Sequence, residues 1–443
     1  MNSAAESDPV PRERWWKREV AFRAIIALFI AAVLAFAGVS VANALLPGKS
    51  IKDYELWHDT GQRMLHGEAI YPTKRTGKFP FMYPPAAAAM LAPVSMLGRT
   101  GVVIALSAIT AGAWLASILL SVRLASGDWR RQNLLLYLVP SLLVSVYVWS
   151  NFHIGQPSLV LLALLLGAFV ALQQKRETLA GALVAIAAGI KAFPFIAIVY
   201  LLYRRYWIAT ASLLVTLAFL VLALPTAFRG FDKARADLQQ WTRGMVLKYD
   251  DKGVGQRPGR SNSWKNQSIF GLTNRMLRHV DADDQFKPHT PVYANIADLS
   301  FTAVNRIIVG AGLLLGLVYL AVMPRRSART RETDALEFAL FILLMLMFTP
   351  LSFGYLFACL LFPFTVLVAR ILNTPARHLV ISGGAAVLLL ALTIPFQRAA
   401  QMYGNTFFAT LSLFVGLALE LWMLTRRAIT QSTSLPATQL ATR

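Results

Sequence analysis

Residues 24–46 read AIIALFIAAVLAFAGVSVANALL, and shortly after them the chain turns polar at KDYELW, residues 52–57. An apolar run of that length is what a helix needs to cross a hydrocarbon layer about 30 Å thick. The polar stretch behind it sets a carboxylate, Asp53, at the boundary between lipid and water. An enzyme acting on a lipid-linked substrate would need a general base at that level.

The same kind of run recurs along all 443 residues, of which 56% are hydrophobic. Mean hydropathy is +0.53. Apolar stretches fall near 24–46, 101–122, 134–150, 157–173, 178–203, 206–226, 301–323, 335–350, 353–370, 378–395 and 404–425. This predicts an all-α, polytopic integral membrane protein. A transmembrane barrel would alternate in segments of about ten residues instead. The net charge of +21 lies largely in short basic clusters between the apolar runs. That is the pattern of positive-inside loops, so nucleic acid is not an expected partner. Cys359 is the only cysteine, so it cannot form an internal disulfide.

Residues 1–23 carry Arg12, Arg14, Lys17, Arg18 and Arg23, with Trp15 and Trp16 at the interface, and read as a cytoplasmic N-terminus before an uncleaved first span. The later clusters are Arg123/Arg130/Arg131, Lys175/Arg176, Arg204/Arg205, Arg325/Arg326/Arg329/Arg331, Arg370/Arg377 and Arg426/Arg427. If all are cytoplasmic, alternation fails only at 178–203, which joins two of them. A helix pair broken at Gly189–Pro194 restores it, because proline removes a backbone donor there. The expectation is therefore about ten full spans plus one broken pair, with both termini cytoplasmic. Two long loops, about 47–100 and 227–300, then lie outside. In the first, Ala86 to Leu97 is too short to span and should lie along the interface or dip part way in. The second holds twelve Lys/Arg and eight Asp/Glu, a basic excess that long loops tolerate. Residues 24–427 form the membrane domain, and 428–443 read as a disordered cytoplasmic tail.

Polar residues that could carry chemistry gather on the outer side. Asp53 is the candidate base, with Glu55, Asp59 and Glu68 as rival carboxylates; an ordinary salt bridge or helix cap is the plainer role. Lys191, flanked by apolar residues, is expensive inside a membrane and could hold a lipid phosphate as a point charge, or simply snorkel. Asn151, His153 and Gln156 join two spans outside and could bond sugar hydroxyls, or form a polar turn. Tyr83-Pro84-Pro85 stiffens the chain before the short apolar stretch. Asn266, Gln267 and Arg275 in the second loop could contact sugar or phosphate. Arg306 and Glu420 lie near span ends, where snorkelling explains them. No His/Cys spacing suggests a metal ligand set, and no Walker loop or nucleophile elbow is present.

Taken in order, these motifs resemble glycosyltransferase family 87, the polyprenol-phosphate-mannose-dependent mannosyltransferase-like proteins of the GT-C superfamily. The resemblance runs from about residue 50 to about 360. It is carried by Asp53, Trp57, Gly67 and Tyr71; by Phe81-Met82-Tyr83-Pro84-Pro85; by Gly155-Gln156; by Gly181, Lys191, Pro194 and Arg204-Arg205; and by Asn266-Gln267-Ser268, Gly271 and Arg275. It implies an inverting transferase that moves a sugar, usually mannose, from a polyprenyl-phosphate donor outside the cytoplasm. Asp53 would be the base, Lys191 and Arg275 would hold the donor phosphate, and Trp57, Tyr83, Asn151, His153, Gln156, Asn266 and Gln267 would line the substrate site. Some members carry a histidine-bearing segment late in the chain, where this one has Thr349 to Tyr355 without histidine.

The expected partners are membrane lipid, the polyprenyl-phosphate sugar donor and a glycolipid or glycan acceptor, with no cofactor and no metal. The expected location is the cell inner (plasma) membrane, with the active site facing the periplasm or exterior. A multi-span transporter or lipid flippase is the rival reading. It would more often show internal repeats and a site at mid-membrane.

Overall fold

The computed structural model describes residues 12–46, 48–71, 81–254, 260–283 and 289–433. Trp15 and Trp16, expected at the interface, lie outside the residues whose side chains are described, as does most of the expected tail. The described residues are mainly helical. In order run α1 (Arg12–Leu45), α2 (Asp53–Leu65), α3 (Pro85–Ser95), α4 (Gly98–Ser126), α5 (Leu135–Leu143), α6 (Ser145–Ile154), α7 (Ser158–Gln173), α8 (Glu177–Ile190), α9 (Ala197–Tyr203) and α10 (Trp207–Ala218). There follow α11 (Leu224–Arg229), α12 (Phe231–Trp241), α13 (Ile269–Leu277), α14 (Phe301–Val322), α15 (Arg331–Phe348), α16 (Leu361–Asn373), α17 (Arg377–Ala391), α18 (Thr393–Met402) and α19 (Asn405–Thr433). The described strands are a two-residue antiparallel pair, Tyr249–Asp250 with Gly253–Val254.

Among the described residues, six helical segments are long and apolar enough to cross a membrane, and up to eight if each of two bent pairs counts as one span. The protein is thus all-α and polytopic, with fewer uninterrupted spans than its apolar runs suggest. Apolarity alone does not reveal where a run breaks. The run 134–150 is split into α5 and α6, which bend by 60°. The stretch 378–395, read as one span, ends at Ala391, where α18 turns away by 93°. α15 is unbroken but carries Glu332, Asp334 and Glu337 in its first half. The segments also differ in depth: Glu19–Leu45 buries 6% of its apolar window, so it lies at the edge, whereas Gly354–Asn373 buries 78% and is central.

The segment 178–203 is not one helix. α8 stops at Ile190, Lys191 is extended, and a 3-10 turn over Phe193–Ile196 leads into α9. Thr178 O accepts from Ser212 Oγ (2.7 Å), so the start of α8 lies against the start of α10. The end of α9 reaches that same point through Arg204 and Arg205. Both ends therefore come to one level, with Lys191 at the far turn.

One expectation is corrected, at Glu420, and one segment is described more closely. Ala86 to Leu97 is largely a helix with one face covered: α3 buries Ala86 to Ala89 and Ala92 against protein, packing on α2, and leaves Met96 and Leu97 beyond its end exposed. Four successive alanines allow that close approach. Glu420 does not snorkel; it is 5% exposed and accepts from Arg370 Nε (3.1 Å) and Nη2 (2.8 Å), with His378 Nε2 at 3.1 Å. α19 also continues past the expected boundary at 427 to Thr433.

The two long loops meet. Gln240 Nε2 donates to Tyr71 O (2.8 Å) and Trp241 Nε1 donates to Met82 O (3.1 Å), while Arg229 and Asp237 form a buried ion pair at 3.0 Å within the second loop. α12 is thereby tied to the segment that carries Tyr83.

Candidate active site

Asp53 is the first residue of α2, and the Lys52 before it has a positive φ of 56°. Asp53 is held by what surrounds its helix. Tyr54, 1% exposed, donates to Phe152 O (2.8 Å) and pairs with Ser107 Oγ (3.2 Å). Burial pushes the Tyr54 phenol up, only partly offset by the Ser107 bond, so it remains a neutral donor. Trp57 Nε1 donates to Gly155 O (2.6 Å). α2 is therefore clamped over the turn that ends α6.

That turn presents Gln156. Gly155 caps α6 in the left-handed region, φ +85°, and its N–H donates to Asn151 O (2.9 Å). A β-carbon there would meet the Tyr54 ring at 2.9 Å, so glycine is needed for both conformation and space. Gln156 is 2% exposed, and its amide is fixed from three sides. Nε2 donates to Asp53 Oδ2 (2.5 Å), while Oε1 accepts from Tyr83 OH (3.2 Å) and Lys191 Nζ (3.1 Å). Gln156 thus links the carboxylate to the cation through one amide plane.

Lys191 sits where the break between α8 and α9 turns it toward Gln156. Its Nζ lies 5.3 Å from the Tyr83 ring centroid and 4.8 Å from that of Tyr355. A cation between two aromatic faces is attracted by both. Tyr83 also packs edge-on against Trp57, with centroids 4.5 Å apart. Asn151 reaches the same place by a different route: Nδ2 donates to Tyr355 O (2.7 Å) and Oδ1 accepts from Ser158 N (3.1 Å). Asp53, Trp57, Tyr83, Asn151, Gln156 and Lys191, drawn from four separate stretches of chain, are thus brought together.

The remaining candidates are not in this group. The His153 ring stacks on Trp149 (4.8 Å), one turn earlier on α6. Asn266 is fully buried: Nδ2 donates to Ser261 O (2.8 Å) and Pro350 O (2.9 Å), and Oδ1 accepts from Ser268 N (3.2 Å) and Ser352 N (2.9 Å). Gln267 Nε2 donates to Trp264 O (2.7 Å) and Gln401 O (2.6 Å). Arg275, also fully buried, donates to the carbonyls of Met402, Asn262, Ser263, Asn266, Gly271 and Gln401. Burial pulls its pKa down to about 9, still above neutrality. Its donors are already directed at backbone oxygens rather than at an open phosphate site. These three residues clamp the second loop onto 350–352 and 401–402. That clamp ends three residues before Tyr355.

Tyr355 is the residue that sequence reasoning missed. The segment 349–355 stood out only for lacking histidine, and nothing in it signalled a ring packed against Lys191.

This is a membrane protein whose acid, base and aromatic groups converge at the ends of its helices. The model of glycosyltransferase family 87 matches residues 81–350, and the chain belongs to that family. It is a glycosyltransferase. No curated protein matches the chain. Tyr83, Gln156 and Lys191 lie within the matched stretch, whereas Asp53 and Trp57 precede it and join the group through tertiary contacts alone.

Proposed function

We propose that the protein moves a sugar, mannose in the first instance, from a polyprenyl-phosphate donor to a hydroxyl of a glycolipid or glycan on the extracytoplasmic side of the membrane, with inversion. The observation that carries this reading is the single amide of Gln156, bonded at once to Asp53 and to Lys191. Asp53 accepts the proton of the acceptor hydroxyl as its oxygen bonds the anomeric carbon. The bond from that carbon to the phosphate oxygen breaks, and polyprenyl phosphate leaves as a stable anion. No second carboxylic acid is required. Lys191 neutralises the departing phosphate, and fixed charge of that kind needs no reorganisation during reaction. Trp57, Tyr83 and Tyr355 offer aromatic faces to a sugar. Gln156 and Asn151 position these groups, and Asn266, Gln267 and Arg275 act at a distance by holding 350–352. The enzyme sits in the plasma membrane with both termini cytoplasmic.

The test is transfer by the purified protein in lipid nanodiscs, using radiolabelled polyprenyl-phosphate mannose and a membrane-lipid extract as acceptor. Wild type is expected to transfer, and Asp53→Asn to bind donor without transferring. Equal rates in both would remove Asp53 as base and point to Glu55, Asp59 or Glu68. Donor flux across liposomes without transfer would favour transport instead.

A further inference from the structure

Lys191 lies between two aromatic rings, and each ring belongs to a residue whose own carbonyl is held by a buried donor. On one side Asn151 Nδ2 donates to Tyr355 O (2.7 Å). On the other Tyr71 OH donates to Tyr83 O (2.6 Å). Tyr71 is 2% exposed and packs on Phe81, with ring centroids 5.7 Å apart; Phe81 packs in turn on Tyr83 at 5.6 Å.

Tyr83 precedes Pro84, which confines it to extended backbone, and α3 begins only at Pro85. The carbonyls of Met82 and Tyr83 therefore fall outside the helix and take side-chain donors: Trp241 Nε1 for Met82 (3.1 Å) and Tyr71 OH for Tyr83. Both donors answer to the second outer loop. Trp241 ends α12, and Gln240 Nε2 beside it donates to Tyr71 O (2.8 Å), so α12 holds Tyr71 as well. The start of α12 is anchored too: Lys233 Nζ donates to Gly67 O (3.4 Å) and Arg229 Nη1 to Glu68 O, just before the first loop reaches Tyr71. Burial above all, and then the charge of Asp237, pushes the Tyr71 phenol well above its usual range, with Arg229 offsetting only part of it; Tyr71 stays a neutral donor. Along this route a displacement of α12 reaches the Tyr83 hydroxyl on Gln156 and the Tyr83 ring beside Lys191.

We propose that Tyr71 and Trp241 are positioning residues: they fix residues 82–83 so that the Tyr83 hydroxyl stays on Gln156 and its ring stays beside Lys191. The second outer loop thereby forms part of the frame of the site. Donors on two consecutive carbonyls set the direction of the chain as well as its place, which a single bond would not. A small shift of Tyr83 would lengthen its 3.2 Å bond to Gln156, and hydrogen bonds weaken steeply with distance and angle. The consequence for sugar transfer rests on the function proposed for Asp53 and Lys191; the placement of Tyr83 does not.

The full-length protein, isotope-labelled at the lysine ε-carbons, is studied in lipid nanodiscs by NMR. The Lys191 signal is the one lost in Lys191→Arg, and the two flanking rings shift it. Tyr71→Phe and Trp241→Phe each remove one donor and keep a ring, so both should fold. Each is expected to move the Lys191 signal, whatever sugar the donor carries. An unmoved signal in both variants overturns the proposal. Steady-state transfer then tests whether the effect runs through Tyr83. Each variant should lower kcat/KM about tenfold with Tyr83 present, and less than about twofold in the Tyr83→Leu background, where neither ring nor hydroxyl is left to place. Equal losses in both backgrounds would mean that the two residues only stabilise the loops, and would also overturn the proposal. If Tyr83→Leu does not fold, the lysine signal decides. A moved signal in a protein that transfers no sugar from polyprenyl-phosphate mannose would uphold the positioning and count against the transfer reading.

Discussion

Replacing Gly155 with alanine tests whether the turn beneath α2 holds the candidate site together. Two costs are separable. The first is conformational: at φ +85° an L residue is strained by about 1–2 kcal/mol. The second is steric: the new β-carbon would lie 2.9 Å from Cγ and Cδ2 of Tyr54. Tyr54 cannot swing aside freely, because its hydroxyl is bonded to Phe152 O and Ser107. Relieving the overlap must shift α2 or the turn, a cost of roughly 1–3 kcal/mol typical of overpacking. Gly98 is the control, since its φ is +72° and nothing lies within 4 Å of a β-carbon there. The gain from a stiffer unfolded chain is common to both substitutions. Gly98→Ala should therefore cost about 1–2 kcal/mol and Gly155→Ala about 2–5 kcal/mol. Chemical denaturation in mixed micelles, followed by tryptophan fluorescence, compares them directly. Gly155→Ala should also slow sugar transfer, because the shift moves Gln156 relative to Asp53, whereas Gly98→Ala should not. Equal destabilisation and equal activity in the two variants would refute the claim that the Tyr54–Gly155 contact sets the site.

Three further outcomes follow from the same contacts. Lys191→Met should lower transfer by about 10–100-fold, since it removes a charged hydrogen bond to Gln156 and the charge facing the leaving phosphate; steady-state kinetics showing unchanged kcat and KM would count against that role. Arg275→Lys should destabilise by about 2–5 kcal/mol, because an ammonium has too few donors for six buried carbonyls; a denaturation midpoint matching wild type would refute the clamp. Acid should weaken the contacts that Asp281 makes with Val292 and His289. Burial tends to raise the Asp281 carboxyl, but the Val292 and Asp283 amides and His289 outweigh it and hold the pKa below its usual value. A carboxylate depressed on folding stabilises fully above its unfolded pKa of about 3.9, and that contribution is lost as pH falls through the folded value. At about pH 4.5, Asp281→Asn should therefore be less stable than wild type in a proteolysis assay, and the difference should shrink as the pH is lowered; equal resistance at the higher pH would exclude the effect.

Hydrophobic length was legible along the whole chain because a membrane helix must be apolar over its span whatever it packs against. The break at Lys191 was legible too, from basic clusters at both ends of one apolar run with a proline between them. The number of spans was not. Kinks at Val144 and Leu392 are invisible to hydropathy, and the buried ion pairs of Arg204 with Glu337 and Arg370 with Glu420 place charge where an apolar scan expects none.

The candidate site divides in the same way. Asp53, Gln156 and Lys191 stood out by sequence because polar groups at membrane boundaries are costly and few. The contacts of the other candidates did not. Arg275 and Asn266 looked like ligand-binding groups, and only the folded chain shows their donors on carbonyls far away in sequence. Tyr355 looked like nothing, and only packing brings its ring to Lys191. The sequence by itself determined which segments are apolar and where charge is admitted, because transfer between water and lipid acts on each segment separately. The partner of each polar group was decided by the tertiary structure, because hydrogen bonds and cation–aromatic contacts act over a few ångströms between residues that are distant along the chain.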